Sequence, residues 1–85
     1  SKLLQWTDSK VALVEFIYAI YAGKCFNNGN TSLKDIAFCC EVLFNIEIGD
    51  FYRIFLEIRN RKKNRTQFLD KLKDKIQKMM DELDR

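Results

Sequence analysis

SLKDIAFCCEVLFNIEIGDFYRIFLEIRNR, residues Ser32–Arg61, is the stretch that decides the fold. Ser32 followed three residues later by Asp35 has the form of a capping box, with Asp in place of the usual Glu or Gln. Behind it Leu33, Ile36, Ala37, Cys40, Leu43 and Phe44 recur at helical spacing, which predicts a helix over 33–44 with that stripe facing the core. Asn45–Gly49 is a short connection, and Asp50 is suited to cap a further helix over about 51–61. In that helix Phe51, Ile54, Phe55 and Ile58 share an inner face, while Arg53, Leu56, Glu57 and Asn60 share the outer one. Tyr52, Arg59 and Arg61 fall on its flanks. Two helices joined by so short a turn read as a helix-turn-helix, the unit whose second helix enters the DNA major groove.

Upstream, Thr7 is a candidate N-cap, Asp8 suits a first turn and Trp6 is placed to pack on Val11, so a helix is expected from about 8 to 22. Between Val11 and Ala22 its one charged residue is Glu15. A helix apolar nearly all round belongs in the middle of a domain. Gly23 is the expected stop, and Phe26–Asn30 is rich in residues that tolerate left-handed backbone. Leu3–Gln5 and the residues around Thr31 are candidates for a minimal two-stranded ribbon.

Downstream, Thr66 is the candidate cap of a fourth helix running to about Leu83. Its apolar residues Leu69, Leu72, Ile76, Met79, Met80 and Leu83 form one narrow seam, with Lys71, Lys75 and Lys78 on one flank and Asp70, Asp74 and Asp81 on the other. Packing against the first helix is the favoured use of that seam; a homodimer through helix 4 is the competing one. Only about six residues join helices 3 and 4, without glycine, too few for a hairpin wing. The expected fold is mainly α, a helix-turn-helix or winged-helix-like domain of about four helices with the wing reduced to a basic turn.

The chain has 85 residues, 47% hydrophobic and 13% aromatic, enough for one domain with a core. It begins at Ser1 and is expected to be the C-terminal part of a longer protein, whose N-terminal part is a natural partner. The longest uncharged apolar run, Phe16–Gly23, is well short of the roughly 20 residues a membrane span needs. The three cysteines Cys25, Cys39 and Cys40 do not form a disulfide pattern, which suits a reducing cytoplasm. With no histidine and no paired-thiolate spacing, no metal site is expected, and Cys25 and Cys40 are taken as small buried apolar residues. Three glycines form no phosphate loop, and no nucleophile has a base beside it, so neither a catalytic residue nor a cofactor is assigned and the chain is not expected to be an enzyme.

Charge is informative by position. Residues 53–65 hold Arg53, Arg59, Arg61, Lys62, Lys63 and Arg65 against Glu57, a local charge of +5 in a chain whose net charge is +3, leaving −2 for the other 72 residues. A basic patch on a near-neutral body is the footprint of a nucleic-acid binder. Arginine reads guanine and asparagine reads adenine through paired hydrogen bonds, so Arg53 and Asn60 are the candidate base contacts, with Tyr52 beside them at base or sugar. Arg59, Arg61, Lys62, Lys63, Arg65 and Thr66 are the candidate phosphate contacts. The plainer alternative is that the run from Arg61 to Arg65 is a solvated helix end complementing the helix dipole. Exposed Leu56 suits a thymine methyl or a further protein surface.

Three segments also resemble a known family: LQWTDSKVALVEFIYAIY (Leu4–Tyr21), CFNNG (Cys25–Gly29) and GDFYRIFLEIRNRKKNRTQFLDKLK (Gly49–Lys73) are similar to the C-terminal region of RteC proteins. The resemblance is most specific from Asp50 to Leu69 and weakest around Cys39 and Cys40. It implies a helical domain of winged-helix type that binds double-stranded promoter DNA with helix 3 as the reading element. The implied role is a regulator of the excision and mobilisation genes of tetracycline-resistance conjugative transposons. A helical protein-interaction or dimerisation module is the other reading, motivated by the helix 4 seam and Leu56.

Overall fold

The computed structural model describes residues 3–85. Among them are four α-helices, α1 (Lys10–Ala22), α2 (Leu33–Phe44), α3 (Phe51–Arg59) and α4 (Gln67–Leu83), a 3-10 turn at Asn27–Gly29, and no strand. The mainly helical reading and the element order therefore hold. The ribbon does not form: Trp6 donates its backbone N–H to the Phe44 carbonyl at 2.9 Å, and the Gln5 and Asn45 side chains share a hydrogen bond at 2.8 Å. The N-terminal segment is thus tied to the end of α2.

α1 is the hub, and α2, α3 and α4 each pack on it. From Val11 to Ile20 every residue is buried or partly buried, with Leu13, Val14 and Ile17 removed from solvent altogether. Burial of such aliphatic side chains stabilises a fold by roughly 1.5–3 kcal/mol each. Around them the core is completed by Ile36, Ala37 and Cys40 of α2, by Ile48 of the connection and by Ile58 of α3. Tyr18 of α1 stacks flat on Phe55 of α3, ring centroids 3.6 Å apart, and burial pushes the pKa of the Tyr18 hydroxyl upward, with Tyr52 and Asp50 adding to it.

The helix ends follow local chemistry. α1 is capped by Ser9, whose hydroxyl accepts from the Ala12 N–H at 3.0 Å, and not by Thr7; Asp8 accepts from the Ser9 N–H instead. The Trp6 indole N–H bonds the Ser9 carbonyl at the start of α1, and its ring lies 5.8 Å from both Phe44 and Phe68. At the other end Gly23 is in right-handed geometry and Lys24 takes the left-handed position, φ 55°. The Lys24 and Cys25 amides bond back to Tyr21 and Ile20, a Schellman turn with lysine where glycine is usual. Ser32 caps α2 through the Asp35 N–H, left-handed Asn45 ends it, and Asp50 caps α3 through the Arg53 N–H.

Two expected inner positions, Leu43 of α2 and Cys25, lie outside. Phe38, Val42 and Cys39, which fall off the predicted stripe, are exposed as well; of the cysteines only Cys40 is buried, and burial raises its thiol pKa. α3 stops at Arg59, two residues early. The seam of α4 does not pack on α1: Phe68 is buried and Leu69 partly so, and every residue from Asp70 onward is exposed. Projection of that helix accounts for a radius of gyration of 14.3 Å, where a compact chain of this length has about 12 Å.

What fixes the start of α4 is Glu15. Its carboxylate accepts the N–H groups of Phe68 at 3.2 Å and Leu69 at 2.8 Å, the amides an N-cap side chain ordinarily takes. Thr66 makes no capping bond; its hydroxyl lies at 3.2 Å from Asp70. The one acid of the apolar helix therefore caps another helix across 53 residues of sequence, its charge facing the positive end of the α4 dipole. Glu15→Gln retains one acceptor oxygen but turns an amide group toward the second N–H, and is expected to cost roughly 1–3 kcal/mol in urea unfolding. Glu15→Ala should cost at least as much, and a loss below about 0.5 kcal/mol for both, the scale of neutral surface changes, would contradict this role.

Candidate nucleic-acid interface

Exposed basic side chains with one acid among them, Glu57, lie on α3 (Arg53, Arg59) and in the link from Asn60 to Thr66 (Lys62, Lys63, Arg65), whereas the exposed lysines of α4, Lys71, Lys73, Lys75 and Lys78, alternate with acids. On α3, Tyr52, Arg53, Leu56, Glu57 and Arg59 are exposed, as the periodicity requires once Phe51, Ile54, Phe55 and Ile58 face α1. Tyr52 lies against Phe51, ring centroids 4.4 Å apart. Asn60 is exposed but is the C-cap residue and not part of the helix; its backbone N–H returns to the Leu56 carbonyl at 3.0 Å.

Arg53 is not free. Its guanidinium pairs with Glu57 one turn on, Nη1 to Oε1 3.3 Å, with both side chains well exposed. The spacing is legible in the sequence, since residues four apart on a helix are neighbours, but assigning Arg53 to base contact leaves that partner out. An exposed pair of this kind is worth well under 1 kcal/mol and exchanges readily for another anion.

The link is short and held at both ends. Arg61 donates its backbone N–H to the Ile58 carbonyl, and its guanidinium bonds the Asn64 carbonyl at 3.2 Å, closing a tight loop in which Asn64 adopts left-handed backbone, φ 60°. Arg61 is accordingly partly buried and lines a cleft of about 230 Å³ with Asp8, Glu15, Gln67, Phe68 and Lys71. Lys71 reaches Asp8 across that cleft at 3.4 Å. The Asp8 carboxyl is held below its usual range by the Ser9 N–H and, secondarily, by Lys71.

The sequence-predicted residues thus separate into groups. Lys62, Lys63 and Arg65 are exposed in the link, with Arg59 exposed in the last turn before it, and among the described residues none of them has an ion-pair partner. Arg61 organises the loop. The Thr66 hydroxyl is engaged with Asp70, and the amides that follow it are taken by Glu15. Sequence reasoning does not give Glu15 this part; its one signal is a lone acid in an otherwise apolar helix.

Comparison with known proteins places the chain. The family model described as RteC protein matches residues 1–84. The chain belongs to the RteC family. Membership covers essentially the whole sequence, and it links the chain to regulators associated with conjugative transposons. No curated protein and no solved structure matches this RteC chain. Among its described residues no three His, Cys, Asp or Glu side chains are grouped to hold a metal, and no helix is long and apolar enough to cross a membrane.

If the surface of α3 is not a stability element, its ion pair should be dispensable to the fold. Arg53→Ala and Glu57→Gln are each expected to shift the unfolding free energy by less than about 0.5 kcal/mol in urea titrations. A loss above about 1 kcal/mol, beyond what an exposed pair contributes, would mean that the pair braces the helix.

Proposed function

We propose that this RteC chain is the DNA-binding domain of a transcription regulator, with α2, the connection and α3 acting as a helix-turn-helix and the α3–α4 link as a reduced wing. The observation that carries this reading is the link itself: Lys62, Lys63 and Arg65 are exposed and without ion-pair partners, on a turn anchored by Arg61 and by the Glu15 cap. A fixed cationic turn beside an amphipathic helix suits a phosphate backbone on one side and a groove on the other. Phosphate contacts from Lys62, Lys63, Arg65 and Arg59 supply affinity, and the outer face of α3 supplies preference among sequences.

Arg53 and Asn60 remain the candidate readers of base edges, with Tyr52 at base or sugar. Arg53 exchanges Glu57 for guanine on binding, and Glu57 then disfavours complexes in which that exchange does not occur. Thr66 is left out, because its hydroxyl is engaged with a carboxylate. The partner is double-stranded promoter DNA, the role is control of excision and mobilisation genes of a tetracycline-resistance conjugative element, and the setting is cytoplasmic. No enzymatic activity is proposed.

The test is a binding titration with promoter duplex at several salt concentrations. Replacing Lys62, Lys63 and Arg65 by alanine should weaken binding to all sequences alike and reduce the slope of log K against log salt by about 2–3, at roughly 0.9 for each phosphate left without its cation. Absence of any complex at low salt, or an unchanged slope in the triple variant, would overturn the proposal.

A further inference from the structure

The projecting part of α4 has an apolar face that, among the described residues, nothing covers. Leu72, Ile76, Met79, Met80 and Leu83 are all exposed, Ile76 and Met79 to 52% each, although they repeat as regularly as a core stripe. Leu69, Leu72, Ile76, Met79 and Leu83 fall on alternating a and d positions of a heptad, the pattern by which one helix packs along another. Leu69 is partly buried at the body of the domain, so the free seam begins at Leu72 and runs to Leu83.

The flanking charges say what fits there. In the same heptad Lys75 and Glu82 occupy successive g positions, and Lys73 and Met80 successive e positions. Antiparallel helices bring g against g and e against e, whereas parallel helices bring g against e. An antiparallel second copy in the register that sets Leu72 against the partner's Leu83 and Ile76 against the partner's Met79 also sets Lys75 against the partner's Glu82. Two-fold symmetry repeats every one of these contacts. On the other side Met80 meets the partner's Lys73, whose aliphatic stem covers it. A parallel pairing in heptad register would place Lys75 against the partner's Met80 and would not bring it to Glu82.

We propose that α4 is a self-association surface, on which a second copy of this chain packs antiparallel from Leu72 to Leu83 with reciprocal Lys75–Glu82 ion pairs. The overlap is roughly 18 Å long at 1.5 Å per residue, so the interface lies in the small, transient class and not among permanent dimers. Association is therefore concentration-dependent, and it is independent of the DNA reading, since it uses no residue of α3 or of the link.

Sedimentation equilibrium of the whole chain at rising concentration tests the proposal. The native chain is expected to pass from monomer to dimer below about 1 mM, a limit that corresponds to very weak binding. Ile76→Asp should abolish the dimer while leaving circular dichroism and thermal midpoint unchanged, because the side chain it replaces is exposed. Lys75→Glu places carboxylates opposite each other and should weaken the dimer at least severalfold. Adding Glu82→Lys should restore it. A chain that stays monomeric up to about 1 mM, which would leave the seam to a different partner, overturns the proposal. So does a dimer indifferent to Ile76→Asp, or a charge reversal that the second substitution does not rescue.

Discussion

The arrangement of this domain depends on one carboxylate. Glu15 sits in the middle of the most buried helix, where an unpaired charge would be strongly destabilising, and is tolerated because it accepts two backbone N–H groups from the first turn of α4. A helix start that brings its own cap needs no such partner. Here Thr66 does not supply one, so the direction in which α4 leaves the domain is set by α1. That in turn fixes the far end of the link from Asn60 to Thr66, whose near end is fixed by Ile58 in the core. The basic turn is positioned by the interior of the protein.

Trp6 works toward the same end from outside. Its ring touches Phe44 at the end of α2 and Phe68 at the start of α4, and its two N–H groups bond Phe44 and Ser9. Three helix ends meet at this residue. α3 is attached differently, through Ile58 and the stack of Phe55 on Tyr18, which leaves its outer face clear of the other helices. The result is a hub helix carrying one exposed amphipathic helix, one anchored cationic turn and one projecting arm.

Much of this is legible in the sequence where a local signal is unambiguous. Asp50 stands alone before apolar periodicity, and Ser32, the last of the run Asn30–Thr31–Ser32, is singled out by Asp35 three residues on; both mark the starts of α2 and α3 where the structure has them. Thr7, Asp8 and Ser9 are three cap residues in a row, and propensity does not choose among them; the structure uses the last. Periodicity shows which residues of α4 share a face, but not what that face meets, because the pattern of a helix packed on its own domain and of one packed on another chain is the same. Leu43 is misplaced by periodicity for a related reason, lying at the margin of a stripe already filled by Ile36, Ala37 and Cys40. The +5 segment is readable as composition. The Arg61 loop bond and the Arg53–Glu57 pair divide that charge between structure and surface, and of the two only the ion pair has a spacing signature; the Glu15 cap has none.

In the proposed function the cationic turn and the outer face of α3 form one working surface, with α4 apart from it. Backbone amide shifts recorded by NMR while a promoter duplex is added test that division directly. Changes confined to residues 52–65, with Leu72 to Leu83 unmoved, are the expected result. Changes centred on α4 or on the exposed side of α2, with 59–65 silent, would contradict it.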